Sequence, residues 1–261
     1  PLPRWWLWIF YATIVWSALY VIVYPAIPLV SRATNGVLGW NSRAAVATDL
    51  AALDARRGAD LQALRSAPLE TIASDARLLS FARAYGKAAF GDNCAACHGA
   101  GAGGAKSYPN LIDDDWLWGG KLADIQQTIS FGIRSGHEET RQGNMPAMVR
   151  DGLIKKEDAP VLADYVRHIA GLPTEKVDLK KGEELFAANC ASCHGDAGKG
   201  NRELGAPNLT DSIWLYGSDK AAIVEGLTNG RGGVMPAFAG RLDEATVKAL
   251  TVYVHTLGGG E

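Results

Sequence analysis

The chain has 261 residues, 48% hydrophobic and 21% charged, with 26 basic against 28 acidic side chains. That composition supplies one large core or two small ones, and it excludes a disordered tail and a disulfide-rich miniprotein. No Lys/Arg run stands out, so nucleic acid is not expected as a partner.

The near-neutral average conceals a split. Residues 1–30 contain a single charge, Arg4, and four of the eight Trp, which leaves the remainder with a net charge of −3. Trp5 to Tyr24 is a run of 20 residues free of Asp, Glu, Lys, Arg and His. As a helix it is about 30 Å long, the thickness of a bilayer's hydrocarbon core. Trp5, Trp6, Trp8, Phe10 and Tyr11 cluster at one end and Tyr20 and Tyr24 at the other, where amphipathic rings favour the headgroup region. Pro25 and Pro28 stop the helix. A cleaved signal peptide has a shorter apolar run followed by a small-residue cleavage site, which this pattern does not match. Residues 1–30 therefore read as a transmembrane anchor. Arg4 lies on one flank and Arg32 and Arg43 on the other, so basic residues alone do not orient it.

Residues 31–77 read as a helical connector. Asn41-Ser42 is a cap signal for a helix in which Val46, Leu50 and Leu53 recur at helical spacing, with Asp54, Arg56 and Arg57 outside. Ala-rich sequence continues to Pro68, and another helix leads into the first cysteine pair. The segment is too long for a simple linker and is expected to pack on partner subunits.

All four cysteines lie in two short segments, Cys94-Ala95-Ala96-Cys97-His98 and Cys190-Ala191-Ser192-Cys193-His194. Each is a C-x-x-C-H, the signature of covalent c-type haem attachment. Cysteines at i and i+3 project from one face of a helical turn, so both thiols reach the vinyl groups on one side of a porphyrin. The adjacent His98 or His194 then meets the iron. A zinc ribbon spaces its cysteine pairs about 15–20 residues apart and leaves both histidines unexplained. A thioredoxin-like pair needs a strand before it, whereas both lead-ins are helical in pattern.

The segments around the two motifs repeat. Gly86 and Phe90 correspond to Gly182 and Phe186, Pro109-Asn110-Leu111 to Pro207-Asn208-Leu209, Trp116-Leu117-Trp118-Gly119 to Trp214-Leu215-Tyr216-Gly217, and Met145-Pro146 to Met235-Pro236. The offset falls from 96 at the cysteines to 90 at the methionines, so the copies differ by loop insertions. A Met thioether opposite the His raises a haem's potential into the electron-transfer range. The chain has only three Met, and two of them occupy equivalent M-P steps in Gly-rich loops. Met145 and Met235 are thus the expected distal ligands, with Met148 and the loop residue His137 as lesser alternatives for the first haem. Which iron each methionine meets is open from the sequence; pairing within each copy is the expectation. Arg134, Trp118 and Tyr216 are candidates for haem propionate contacts.

Leu122, Ile125 and Ile129 mark a middle helix in the first copy, and Val161, Leu162, Tyr165, Val166 and Ile169 its last one. In the second copy Asp219 caps a helix carrying Ile223 and Leu227, and Val247, Leu250, Val254 and Leu257 mark the final helix. His168 and His255 fall on the outer part of the final helices. Gly171-Leu172-Pro173-Thr174 separates the copies and Gly258-Gly259-Gly260 ends the fold in a loose tail.

The order of C-x-x-C-H helix, P-x-L, M-P and final Tyr-bearing helix resembles the class I cytochrome c domain, over residues 78–172 and 178–258. The expected fold is all-α: a single transmembrane helix and then two tandem cytochrome c domains, 78–172 and 173–261. The resemblance implies that Gly86 and Phe90 pack near Tyr165, and Gly182 and Phe186 near Tyr253. It also implies that the carbonyls of Pro109 and Pro207 accept the second ring N–H of His98 and His194.

A closer match follows from Pro1-Leu2-Pro3-Arg4-Trp5-Trp6, Trp40-Asn41-Ser42-Arg43, Phe90-Gly91-Asp92-Asn93-Cys94, the Asp113-Asp114-Asp115 run within Tyr108 to Gly120, and Gly132-Ile133-Arg134-Ser135-Gly136-His137. Together these resemble the di-haem subunit of cbb3-type cytochrome c oxidases. That family implies two covalent haem c groups and electron acceptance from a soluble or membrane-anchored cytochrome c, with a bc-type complex as a further donor. It implies as partners a mono-haem cytochrome subunit and a catalytic haem-copper subunit of a proton-pumping terminal oxidase. It also implies the bacterial inner membrane, with the haem domains in the periplasm. Asp113 to Asp115 offer a patch that would steer a basic cytochrome. An anchored di-haem shuttle, the cytochrome subunit of a periplasmic dehydrogenase and a di-haem peroxidase are the competing functions; the peroxidase needs an open iron position that two His/Met sites do not leave.

Overall fold

The computed structural model describes residues 2–31, 33–174 and 178–258. Pro1, Arg32, Gly259 and Gly260, which enter the sequence argument above, lie outside them. Among the described residues the chain is helical, with isolated bridges and no strand. It divides into two units, Pro1–Ala59 and Asp60–Glu261.

In the first unit α1 spans Arg4–Val23 and buries none of its residues. An all-round apolar helix with no protein cover is what a bilayer solvates. Its aromatic rings stack along the helix, Trp6 on Phe10, Trp16 on Tyr20 and Tyr20 on Tyr24. The chain after the helix turns back, and the amides of Val37 and Leu38 donate to the carbonyls of Ile22 and Val23 at 2.9 and 3.2 Å. Two of the helix's terminal acceptors are thereby satisfied. Gly36, at φ 66°, permits that approach, since a Cβ there would lie 2.3 Å from the Val23 oxygen. Helix α2 runs from Ser42 to Ser66, and the Asn41 side chain accepts from the amides of Arg43 and Ala44 as a cap.

The end of α2 belongs to the second unit. Leu64 is fully buried with Leu69 and Ile72 of α3 (Leu69–Ser74), Leu78 and Ala82 of α4 (Ala76–Asn93), and Ala245, Ala249 and Val252 of α11 (Glu244–His255). Lys248 of α11 donates to the carbonyls of Arg65 and Ala67 at 2.7 and 3.1 Å, closing the C-terminus of α2 with a cation. The connector expected to pack on partner subunits thus spends its last turns in the chain's own core.

Two haem-scale bodies follow, and they do not coincide with the sequence copies 78–172 and 173–261. In the first body, Phe90 of α4 and Ile125 and Ile129 of α6 (Leu122–Phe131) pack with Phe238, Val247, Leu250 and Val254 from the end of the chain. In the second, Leu162, Ala163 and Val166 of α7 (Ala159–Ile169) pack with Phe186 of α8 (Leu179–Asn189) and Leu227 of α10 (Lys220–Asn229). Short helices α5 (Ala95–His98) and α9 (Ala191–His194) carry the motif histidines. The last helix of each copy therefore packs on the first helix of the other.

This overturns the expected helix pairs. Gly86 faces α11, where a Cβ would lie 2.3 Å from the Ala249 oxygen and 2.7 Å from the Tyr253 Cβ. Gly182 faces α7, with Tyr165 Cβ at 2.6 Å from that position. Phe90 and Tyr253 are 5.5 Å apart between ring centroids, and Tyr165 and Phe186 5.6 Å. The physical reason is chain connection: α7 and α8 are consecutive helices joined by a short segment, and consecutive helices with short links become antiparallel neighbours. The second body is consequently continuous along the chain, while the first is completed only by the C-terminus.

Gly86→Ala should lower the thermal midpoint of the haem-loaded chain, with a cost of about 1–3 kcal/mol for overpacking two helix backbones. Gly91→Ala, on the same helix with open space around it, should leave the midpoint unchanged or raise it. Equal effects of the two would show that the α4–α11 approach is not tight.

Candidate haem-binding sites

Each histidine is set by its own copy. His98 Nδ1 donates to Pro109 O at 2.9 Å and His194 Nδ1 to Pro207 O at 3.0 Å. The carbonyls can only accept, so Nδ1 holds the proton and Nε2 is left as the metal-facing nitrogen. Burial holds His194 below the usual imidazole range, in the neutral form a ligand requires. Gly104 and Gly200, at φ 67° and 83°, let the P-x-L turn come this close; a Cβ would fall 2.4 Å from Tyr108 O and 2.6 Å from Ala206 O.

The methionines are set by the other copy. Met145 N donates to Arg231 O at 2.9 Å and Arg231 N to Met145 O at 3.0 Å; Ile133 N and Met235 O, and Met235 N and Ile133 O, are both 3.0 Å apart. Gly132 and Gly230, which end α6 and α10 at φ 72° and 75°, lie against the Met235 and Met145 carbonyls, where a Cβ would intrude to 2.3 and 2.6 Å. Met235 packs on the cluster that includes Cys94, Ala95 and Phe90, and Met145 on the one that includes Cys190, Ala191 and Phe186. The structure therefore brings Met235 to the first motif and Met145 to the second, reversing the expected pairing within each copy. Met148 is buried in the core of the second body. His137 stacks on Phe131, with centroids 4.7 Å apart, and its Nδ1 accepts from Glu139 N.

The residues present suit a porphyrin at both places. A cavity of about 1160 Å³ is lined by Cys190, Cys193, His194 and Met145, with apolar walls from Phe186, Leu209 and Leu227. That is the shape and chemistry of a large flat apolar cofactor. In the first body Trp116, like Cys94 and Met235, packs on the core cluster, and its Nε1 is buried without a hydrogen-bond partner, a donor available to an acceptor on a bound group. Burial pushes the Cys94 and Cys190 thiols up to about 11. No cluster of metal-holding side chains occurs among the described residues.

The two sites share walls. Tyr108, Pro109, Asp113 and Asp115 of the first copy line the cavity of the second motif. Trp118 sits under Gly143 and Gly205, stacked by Arg141 at 5.3 Å, and Tyr216 sits under Gly233, stacked by Arg231 at 4.5 Å. Of the expected propionate contacts, Arg134 and Tyr216 line this cavity. Sequence reasoning missed Gly143, whose absent Cβ leaves room for Leu204 O at 1.8 Å. Its signal was its place two residues before Met145, matched by Gly233 before Met235.

Asp113 and Asp115 are half-buried and line the cavity of the second motif, while Asp114 is exposed. Burial, then Asp211 and Asp113, push the Asp115 carboxyl up to about 6.

Residues 83–170 match the family described as cytochrome c, residues 177–254 that of cytochrome c oxidase, cbb3-type, subunit III, and residues 1–31 that of the N-terminal domain of cytochrome oxidase-cbb3, FixP. A cbb3-type cytochrome c oxidase subunit FixP of Azorhizobium caulinodans is 62% identical, over the whole of this chain and 89% of its own length. The FixP subunit of Bradyrhizobium diazoefficiens is 58% identical and the CcoP subunit of Cereibacter sphaeroides 47%, each over the whole chain and 90% of the relative. The chain belongs to the FixP/CcoP family of cbb3-type cytochrome c oxidase subunits. It is thus a membrane-anchored electron-transport subunit that carries two covalent haem c groups at its two Cys pairs and associates with other oxidase subunits. Membership over the full chain sets aside the free shuttle, the dehydrogenase subunit and the peroxidase.

A carboxyl whose value is raised in the fold stabilises it in the protonated form below its ordinary value, and loses that contribution as pH rises through about 6. Asp115→Asn should therefore raise the thermal midpoint at pH 8 and leave it unchanged at pH 4. An equal shift at both would refute the burial account.

Proposed function

We propose that this subunit takes electrons from a cytochrome c, soluble or membrane-anchored, and relays them through its two haems to a mono-haem cytochrome subunit and the catalytic haem-copper subunit. In this reading the haem bodies face the periplasm, where covalent haem attachment takes place, and the N-terminus is cytoplasmic. When bound, each haem supplies a one-electron carrier; the protein's share is to hold it, orient it and set its environment.

The roles divide by residue. Cys94 and Cys97, and Cys190 and Cys193, bear the thioether links. His98 and His194 would ligate the irons through Nε2, each fixed by the Pro carbonyl behind it. Met235 would be the second protein ligand of the first haem and Met145 that of the second. The observation that carries this exchange is the double backbone pairing of each methionine with the neighbouring copy, Met235 with Ile133 and Met145 with Arg231. A His and a Met for each haem would leave no open iron position for oxygen, so these residues support outer-sphere electron transfer, with potential set by the ligand types, burial and the bonds behind the histidines.

Removing Met235 should convert the haem attached at Cys94 and Cys97 to high spin and lower its potential, while removing Met145 should do so to the haem at Cys190 and Cys193. Met235→Ala combined with Cys190→Ala and Cys193→Ala isolates the first haem for this assignment. If Met235→Ala changed the haem at Cys190 and Cys193 instead, ligation within each copy would replace the exchange.

A further inference from the structure

The two copies are unequal at one place. From Gly132 to Met145 the first copy takes thirteen residues, whereas from Gly230 to Met235 the second takes five, so the first holds an insert of eight. The insert closes on itself. Arg134 N donates to Arg141 O at 2.7 Å and Arg141 N to Gly132 O at 3.2 Å, and Ser135 N donates to Thr140 Oγ1 at 3.0 Å.

The insert projects one side chain across both methionine loops. Arg134 Nε donates to Gly233 O at 2.6 Å, and a terminal nitrogen of the same guanidinium donates to Gly143 O. These carbonyls are equivalent, each two residues ahead of its methionine. Arg134 adopts φ 50°, a left-handed conformation unusual for a residue with a Cβ, so the fold holds it there against a local cost. The group is half-buried, burial lowers its pKa, and no carboxylate pairs with it among the described residues. A planar fork with donors on different edges suits two separate carbonyls in a way that an ammonium does not.

We propose that Arg134 is a positioning residue for both distal ligands at once, so that a single side chain links the environments of the two haems. This rests on the reading of Met145 and Met235 as the ligands. With the fork in place, a shift of either loop pulls on the guanidinium that also bonds the other. The insert is then the device that supplies the link, and its presence in only one copy follows from geometry, since one guanidinium serves both loops.

The test uses the haem-loaded full chain in detergent. Arg134→Gln removes the fork and the charge; Arg134→Lys keeps the charge. Two readouts are followed for each haem: the methionine-to-iron charge-transfer absorption of the ferric protein and the midpoint potential. Arg134→Gln should weaken that absorption and shift the potential at both haems, and Arg134→Lys should restore neither fully. A change confined to one haem, no change at either, or full recovery with Lys would each overturn the proposal. Should Arg134→Gln fail to load haem, the Lys variant decides alone by the same criterion. Met145→Ala and Met235→Ala, measured in parallel, assign the signals. If neither removes one, the ligand reading fails, independently of what Arg134 does.

Discussion

The reciprocal backbone pairs between the methionine loops, Ile133 with Met235 and Met145 with Arg231, set the layout of the haem-bearing unit. At that crossing the chain leaves the first body and at the same crossing it returns. The described residues between Met145 and Arg231 form the second body, whose two ends are hydrogen-bonded to each other. The second body is therefore a cytochrome-like unit whose closing helix comes first in the chain, nested in a loop of the first. Adjacent ends are the condition under which such rearranged connection is tolerated.

Several local features make sense only against this crossing. The positive-φ glycines at 132 and 230 end their helices where the opposite methionine carbonyl passes, and a side chain at either would collide with it. Trp118 and Tyr216 stack beneath the glycines two residues before the methionines, each covered by the arginine four residues before them. The walls of the second cavity come from both copies, and Ser107 N donates to Leu215 O across the same seam at 2.9 Å. The bodies thus share structure along this seam.

The end of α2 joins this scheme. Leu64 and the cation of Lys248 tie the end of α2 to α4 and α11, which are the helices that complete the first body. The end of α2 is therefore fastened to the first haem body, by burial of a leucine and by closure of a helix terminus.

Much of this protein was legible in its residues. Charge and aromatic placement identified the anchor, the C-x-x-C-H spacing identified covalent haem, and internal repetition picked Met145 and Met235 from three methionines, because each of those signals is local. Pairing was not legible. Both copies carry the same Gly and Phe before the motif and the same Tyr in the last helix, so α4 has equal reason to accept α7 or α11, and comparing the copies cannot separate them. The short connection between α7 and α8 resolves the choice in three dimensions, and with it which methionine faces which motif. The half-burial of Asp115 and the reach of Arg134 to two loops likewise depend on neighbours far away in sequence. Sequence singled out the candidate haem-holding groups; tertiary structure alone decided which of them meet, because identical local surfaces are told apart only by how the chain connects them.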